Sequence, residues 1–555
     1  MKRLIGVIDC ETDPFRKGRI PKPFIWGFYD GSRYLQFDES SALADFLREE
    51  DCICYAHNGG KFDFHYLLDF LEAWDNIKII NGRIAQCYIG LCELRDSYLI
   101  INEPLSKYKK DEIDYGLMEK GKREYAKNRR KIEAYLKSDC VYLWEMVTEF
   151  LRLYGNTLTQ AGAAMKQWQK MSNTTPEYTD KEFYDAFVPY YYGGRVECFE
   201  SGIIDTDFSV YDINSAYPCA MMDQHPYSAN YERVSGYAKD CDFYRIKCVS
   251  YGALPYRGTG GDGGIAFGLS FPHDNRVREY FITRWELSAG LRTKTIKAVQ
   301  FIESIRFMKH TDFSVFINHF WQKREAAKLA KDVLGALMAK LMMNSLYGKF
   351  AANPDNYYNY MIVPAERAGV LGQGVPVRVE WENGKSGTWE FGGELGPWLL
   401  AQRKLDEFQR RYYNVATGAS ITGFVRAMLW SAIHSSEGVM YCDTDSIAVR
   451  RKGASVSIGA NLGQWKHEGD FDRAGIAGKK LYIFRGVQSE KGSRNYKTAS
   501  KGAKLTNAQL WRLAAGGEVY YERDVPTYSV TKPLNYAEPE KSFTNRLIVN
   551  TVRKG

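Results

Sequence analysis

None of the eleven cysteines belongs to a CxxC pair, and the closest two, Cys52 and Cys54, share one strand-like segment. That spacing suits no structural zinc site, so reduced, packed thiols are expected. No run of about 18 apolar residues is present, which leaves no candidate for a membrane-spanning helix. The opening MKRLIGVIDC meets an acid at Asp9, too soon for a signal peptide. Internal repeats and low-complexity tracts are also missing, apart from the short GTGGDGG cluster at 258–264. Nor is there a large charge of one sign: the net charge is +8 over 555 residues. That balance permits phosphate binding without requiring it. Together these absences predict a soluble chain with no membrane partner, working in a reducing cytoplasm.

Aromatic residues are abundant, with 39 tyrosines and 29 phenylalanines. Flat rings stack on unpaired bases, although most rings in any protein fill cores. The length exceeds what one compact core accommodates and predicts about three to five structural units. Residues 3–9 (RLIGVID) read as a buried strand ended by the acid-rich CETDP. Helical periodicity covers 41–50, 63–75 and most of 118–154, and the connector 154–162 marks a boundary. A strand returns at 207–213 with a helix near SAYPCAMM, and residues 252–312 are mixed and Gly-rich. Residues 314–350 read as two antiparallel helices broken near Asp332–Gly335. The alternating 376–392 segment around ENGKSG reads as a hairpin. An apolar helix at 418–435 precedes two strands at 438–450 that flank an acidic tip.

That tip, YCDTDS, carries Asp443 and Asp445 at i and i+2, on one face of a strand. Two like charges so close repel unless a cation lies between them. A hairpin turn favoured by local Asp hydrogen bonds is an equal alternative for this motif alone. A partner exists in Asp212 of VYDINSAYP, at the end of another apolar strand. Nucleotidyl transfer needs two hard divalent ions about 3.5–4 Å apart, held by carboxylates from different segments. Asp212 and Asp445 are the expected ligands to both ions, with Asp443 in support and the Ile213 carbonyl completing a shell. Tyr217, five residues after Asp212, is placed to exclude a 2′-hydroxyl, or else is a core aromatic. In KLMMNSLYGKF, Lys340, Asn344 and Tyr347 recur at helical spacing, and upstream Arg324 and Lys328 lie four apart. Two helices with cationic inner faces would close on a triphosphate, whereas a basic face alone is usually just solvated.

A second set of acids lies in the first 140 residues. Asp9 and Glu11 alternate on a strand end, Asp63 opens a segment after the AHNGGK loop, and Asp139 follows Tyr135 by four. Four carboxylates around two metals, with a tyrosine orienting water, hydrolyse a phosphodiester. Singly, Asp63 reads as a helix N-cap and Asp139 as an exposed helical acid.

The ordered segments DINSAYP, KLMMNSLYG and YCDTDS resemble motifs A, B and C of family B DNA polymerases, with Ala216 where the family usually has Leu. YYGGR resembles the YxGG motif, which implies template contacts at Tyr191, Gly193, Gly194 and Arg195. KLY resembles the KxY motif, which implies that Lys480 and Tyr482 hold the primer end, with Lys501 as companion. The N-terminal acids resemble the proofreading motifs DxE, Nx2–3FD and Yx3D. That resemblance adds Thr12, Asn58 and Phe62 as contacts to a frayed primer, with Ser97 and Lys110 as further site positions. His57 is a candidate for the same role, although a lone histidine is more often structural. The layout resembles the protein-primed branch of phages and linear plasmids, and its tectivirus-like members in particular.

The resemblance implies a multidomain α/β and α+β fold: an RNase H-like 3′–5′ exonuclease, then palm, fingers and thumb with two insertions. The boundaries expected are 1–185 exonuclease, 186–251 palm, 252–312 first insertion, 313–351 fingers, 352–405 second insertion, 406–485 palm and 486–555 thumb. It implies a monomer using Mg²⁺, with Mn²⁺ as an alternative, two ions per active site. The implied partners are template-primer DNA, dNTPs, a terminal protein as primer and a single-stranded DNA-binding protein, with strand displacement during synthesis. A DNA-primed family B polymerase and a nuclease with a decayed polymerase half are the alternatives.

Overall fold

The computed structural model describes residues 3–16, 19–173, 177–258, 268–372, 374–381, 384, 386–488, 494–500, 503 and 505–521, with the strand Asn545–Leu547. Residues 259–264 of the glycine cluster, Lys501 and most of the expected thumb lie outside them.

LIGVIDCET forms the strand Leu4–Thr12, buried along most of its length, as a strand covered on both faces must be. It pairs antiparallel with Pro23–Tyr29 and parallel with Cys52–Ala56, which runs parallel to Cys92–Asp96. The helix Ala126–Tyr154 covers this sheet, burying Ile132, Leu136, Leu143 and Val147 at helical spacing. The cysteines are free, and the sulfurs of Cys52 and Cys92 abut at 3.3 Å. Residues 63–75 are not the expected regular helix. They form short 3-10 turns, Asp63–Tyr66 and Leu68–Phe70. Asn58 is left-handed at φ 61°, and a Cβ on Gly60 would sit 2.0 Å from the Ile84 carbonyl oxygen. The apolar periodicity still marked the buried face, which is Phe64, Leu67, Leu68 and Leu71.

The second sheet has seven antiparallel strands in the order Tyr496–Ser500, Leu481–Gly486, Trp465–Gly478, Gly202–Ile213, Ser446–Arg450, Val439–Asp443 and Val196–Cys198. Ile213, Cys442 and Ile447 share a core with Ile421, Val425 and Leu429 of the helix Val415–Ser435. That helix is buried on nearly every side, which explains its largely apolar sequence. The expected helix pair is present as Ser314–Leu329 and Val333–Ser345, with Asp332 capping the second by accepting from the Gly335 N–H.

The two expected insertions behave differently from independent units. A four-stranded sheet starts at Tyr231–Ser235 and ends at Ile296–Phe307, so it reaches back across the boundary expected at 251/252. Tyr231 opposes Phe307, and this long-range pairing was invisible in a local reading. The strands of 352–405 instead extend the N-terminal sheet to eleven strands, through Tyr360 opposite Ile77 and Met361 opposite Asn76. The Trp398 indole N–H donates to the Leu68 carbonyl across the same junction at 2.7 Å. Among the described residues no helix is long and apolar enough to cross a membrane.

The boundary expected at 154–162 is a locked joint. Thr159 caps the helix Gln160–Ser172, whose buried Trp168 packs on Tyr227, Phe313 and Phe350. One indole thus joins the N-terminal half to both later units. Trp168→Ala should lower unfolding stability by about 3–5 kcal/mol, read as a fall in the calorimetric Tm. A shift under about 1 °C would show that this joint carries little.

Candidate active sites

Asp9 and Glu11 share one face of the strand Leu4–Thr12, and the helix packed on that strand brings Tyr135 and Asp139 against them. One carboxylate oxygen each of Asp9, Glu11 and Asp139 lies within 4.8 Å of the others. Asp63 comes in from its 3-10 turn, 2% exposed. Burial and the charges of Asp63, Glu11 and Asp139 hold the Asp9 carboxyl well above its ordinary range. Burial, then Asp139, pushes Glu11 up to about 8. Burial pushes Asp63 up to about 7 and raises Asp139 as well. The buried Oδ1 atoms of Asp63 and Asp139 have no hydrogen-bond partner. Orphaned oxygens and mutually repelling acids fit divalent cations, which take oxygen ligands and relieve the repulsion.

A cleft of about 530 Å³ opens over these acids, and His57, Asn58, Lys110 and Tyr135 also line it. Lys110 Nζ is 3.4 Å from Asp139, and the Tyr135 hydroxyl is 3.1 Å from that of Tyr115. Phe62 is half-buried, with Phe15 at 5.8 Å and Tyr66 at 5.4 Å between ring centres. The Thr12 hydroxyl donates to the Asp13 carbonyl. Ser97, expected as a DNA contact of the exonuclease site, is fully buried: it donates to the Ala56 carbonyl and meets His57 Nδ1 at 3.1 Å. Burial lowers the His57 pKa to about 4, so its ring is neutral near pH 7. Arg83, Tyr98 and Tyr115 also line the cleft, and no local motif marked them.

In the second sheet, Asp212 ends the strand Gly202–Ile213 directly opposite Ser446, and the Ile213 N–H donates to the Asp445 carbonyl at 2.8 Å. The registered hairpin therefore brings Asp212 and Asp445 together. Burial pushes Asp445 up to about 7, with Asp212 and Asp443 adding repulsion. Burial and the nearby Glu468 push Asp212 up to about 6. Asp443 differs, because its carboxylate accepts from Lys480 Nζ at 2.9 Å and from the Thr444 hydroxyl at 3.0 Å. Glu468 was missed, and its only signal is its position on the strand opposite Asp212, beyond a register shift.

Gly194 and Arg195 support this tip. Thr444 is left-handed at φ 59°, and its N–H donates to the Arg195 carbonyl. A Cβ on Gly194 would lie 2.8 Å from Thr444 Cγ2. The Arg195 side chain, expected on the template, is 1% exposed and held between Phe271 and Trp430 with Glu197 as its ion-pair partner. Arg426, also buried, donates to the carbonyls of Tyr192 and Gly193. Tyr191 and Gly193 keep some exposure. Tyr482 is 9% exposed and packs on Tyr441, so only Lys480 of the KLY segment presents a polar end.

Tyr217 and Tyr347 stack face to face, with ring centres 4.2 Å apart and planes within 4°. Tyr347 is not on the helix of Lys340 and Asn344. That helix stops at Ser345, and after the fully buried Leu346 a separate short helix, Tyr347–Phe350, carries Tyr347. Arg324 faces the second sheet and donates to the Ser215 hydroxyl at 3.3 Å. Lys328 pairs within its own helix with Glu325, and Asn344 is exposed. Lys340 pairs with Glu103 of the N-terminal half at 2.8 Å.

Comparison with known proteins places this geometry. Residues 102–371 match the family described as DNA polymerase type B, organellar and viral. The DNA-directed DNA polymerase of Enterobacteria phage PRD1 is 39% identical over 511 residues, covering 90% of this chain and 86% of that one. The DNA polymerase of Bacillus phage phi29 is 24% identical over 548 residues, 85% of each chain. The solved structure of phi29 DNA polymerase complexed with primer-template DNA and incoming nucleotide substrates matches with a TM-score of 0.68 at 18% identity, over 99% of this chain and 100% of that one. Fold and relatives thus define a DNA-directed DNA polymerase of phage type. The chain belongs to family B, in the protein-primed-type branch of the PRD1 and phi29 enzymes.

Acids raised in the fold ionise more readily in the unfolded chain, so the metal-free fold loses stability as pH rises through about 7 and about 8. The histidines held down by burial, His57, His65 and His225, gain stability with rising pH only up to about their ordinary pKa near 6.5 and so add little above it. In chelator, Tm should therefore fall from about pH 6.5 to about pH 8.5. Mg²⁺ should restore it, and more strongly at the higher pH. A Tm indifferent to Mg²⁺ at both pH values would rule out cation binding by these acids.

Proposed function

We propose that this DNA polymerase works through two metal-dependent centres, one for nucleotidyl transfer and one for 3′–5′ proofreading, and begins synthesis on a protein hydroxyl. The observation that carries the reading is the pairing of mutually repelling carboxylates in each of two sheets, half-buried Asp212 with Asp445, and half-buried Asp9 with buried Glu11 and Asp139 and with Asp63 nearby. Mg²⁺, or Mn²⁺ in its place, would be held two ions to each centre and would lower the pKa of the attacking oxygen and neutralise phosphate charge.

At the polymerase centre Asp212, Asp445 and the Ile213 carbonyl hold the ions. Asp443 anchors Lys480 beside the primer end. Tyr217 lies under the incoming sugar and excludes a 2′-hydroxyl. Its stack with Tyr347 fills that place until nucleotide enters. Arg324, Lys328 and Lys340 neutralise the triphosphate as the helix pair closes, and Asn344 adds a polar contact. At the exonuclease centre Tyr135 orients the water, Lys110 balances the phosphate, and Thr12, Asn58 and Phe62 hold the frayed end. Tyr191, Gly193 and Gly194 guide the template by their backbone path, with Arg195 holding that path from behind.

Membership of the PRD1 and phi29 branch supports a terminal protein as primer, a single-stranded DNA-binding protein as accessory, and strand displacement by a monomer. The test is incubation with Mg²⁺, one labelled nucleotide and the products of neighbouring genes. A covalently labelled protein is expected, and extension of ordinary primers alone would leave a DNA-primed enzyme.

Asp445→Ala should reduce nucleotide incorporation at least about a hundredfold while sparing degradation of a frayed primer. Asp9→Ala with Glu11→Ala should do the reverse. If either variant impaired both activities equally, the assignment of two separate centres would fail. Tyr217→Val should raise ribonucleotide incorporation relative to deoxyribonucleotide, and unchanged discrimination would remove its role as a steric gate.

A further inference from the structure

Lys340 and Glu103 lie 237 positions apart, yet their ammonium and carboxylate meet at 2.8 Å. Both are partly exposed, at 44% and 21% of their side chains, so the contact can exchange with solvent or ligand. The Lys340 backbone is held more firmly, because buried Gln160 donates to the carbonyl of the next residue, Leu341, at 2.6 Å. An anchored backbone with a partly exposed ammonium suits a side chain that changes partners.

Glu103 belongs to the turn after Ser97–Leu99, and the residues that follow it, Pro104 and Leu105, line the exonuclease cleft. Its main chain also hydrogen-bonds His57 in the same cleft. One short segment therefore touches both the exonuclease cleft and the helix that faces the nucleotide site. A carboxylate on Lys340 occupies the place that a phosphate oxygen needs, and a triphosphate with several charges displaces a single one.

We infer that Glu103 is a positioning residue that holds Lys340 while no nucleotide is bound, so that nucleotide must displace it before the enzyme commits to extension. The inference rests on the reading of Lys340 as a triphosphate contact. Displacement frees the fingers helix from the exonuclease segment, so the strength of the pair sets the dNTP concentration at which degradation gives way to extension.

Glu103→Gln should lower the KM for dNTP about threefold to tenfold with kcat little changed, since a competing occupant is removed. The dNTP concentration that balances degradation and extension of a paired primer should fall by the same factor. Degradation of single-stranded DNA without nucleotide should stay at the wild-type rate, which also reports that the variant folds. Glu103→Asp, with its charge on a shorter arm, should fall between the two. In a Lys340→Gln background, where KM rises, the effect of Glu103→Gln should vanish. An unchanged KM in Glu103→Gln, with a raised KM in Lys340→Gln, would overturn the inference and leave the triphosphate contact standing. No KM change in Lys340→Gln would overturn both. A fall in KM that persists in the double variant would show that Glu103 does not act through Lys340.

Discussion

Carboxylates buried side by side repel each other and lose the hydration that water would supply, and a fold tolerates this only where something compensates. Both sheets of this polymerase are built around that constraint. In the N-terminal sheet, Asp9 and Glu11 alternate on a covered strand while a packed helix brings Asp139 against them. In the second sheet, the hairpin register sets Asp445 beside Asp212. Where compensation is already present the chemistry changes, as at Asp443, which is held by Lys480 and the Thr444 hydroxyl. Three acids that look alike in sequence thus divide into two raised by burial and mutual repulsion and one that already has a cationic partner.

Several buried polar residues brace the segments that carry these acids. Arg195 is enclosed by Phe271 and Trp430, and its carbonyl receives the Thr444 N–H at the turn between the acids. Arg426 holds the two preceding carbonyls, and Ser97 fixes the His57 ring from behind. Buried polar groups of this kind persist because each is satisfied, and removing one partner leaves the other stranded. The glycines of YYGGR follow from the same packing, since a side chain at Gly194 would strike Thr444.

The joints between units are equally specific. The 352–405 segment adds strands to the N-terminal sheet, which covers an edge that would otherwise expose unpaired backbone groups. Trp168 ties the connecting helix to Tyr227, which shares the second sheet's core, and to Phe313 and Phe350 at the two ends of the helix pair. The units are therefore coupled by packing, and contacts such as Glu103 with Lys340 have a firm frame to act across.

Local sequence was enough for whatever depends on periods of two or about four residues. The pairing of Asp9 with Glu11, the Tyr135–Asp139 helix face, the fingers break at Asp332 and the DTD hairpin were all legible from spacing. The tertiary structure decided what depends on partners far along the chain. Helical periodicity at 63–75 marked a buried face but could not reveal the 3-10 turns that the segment forms. The YxGG resemblance implies a template contact for the Arg195 side chain, whereas two aromatic rings over seventy residues away enclose it. The same holds for Tyr231 against Phe307, Tyr360 against Ile77, Glu468 near Asp212 and Lys340 on Glu103. Spacing reports which face a side chain occupies, but burial and the choice of partner arise only when distant segments pack together.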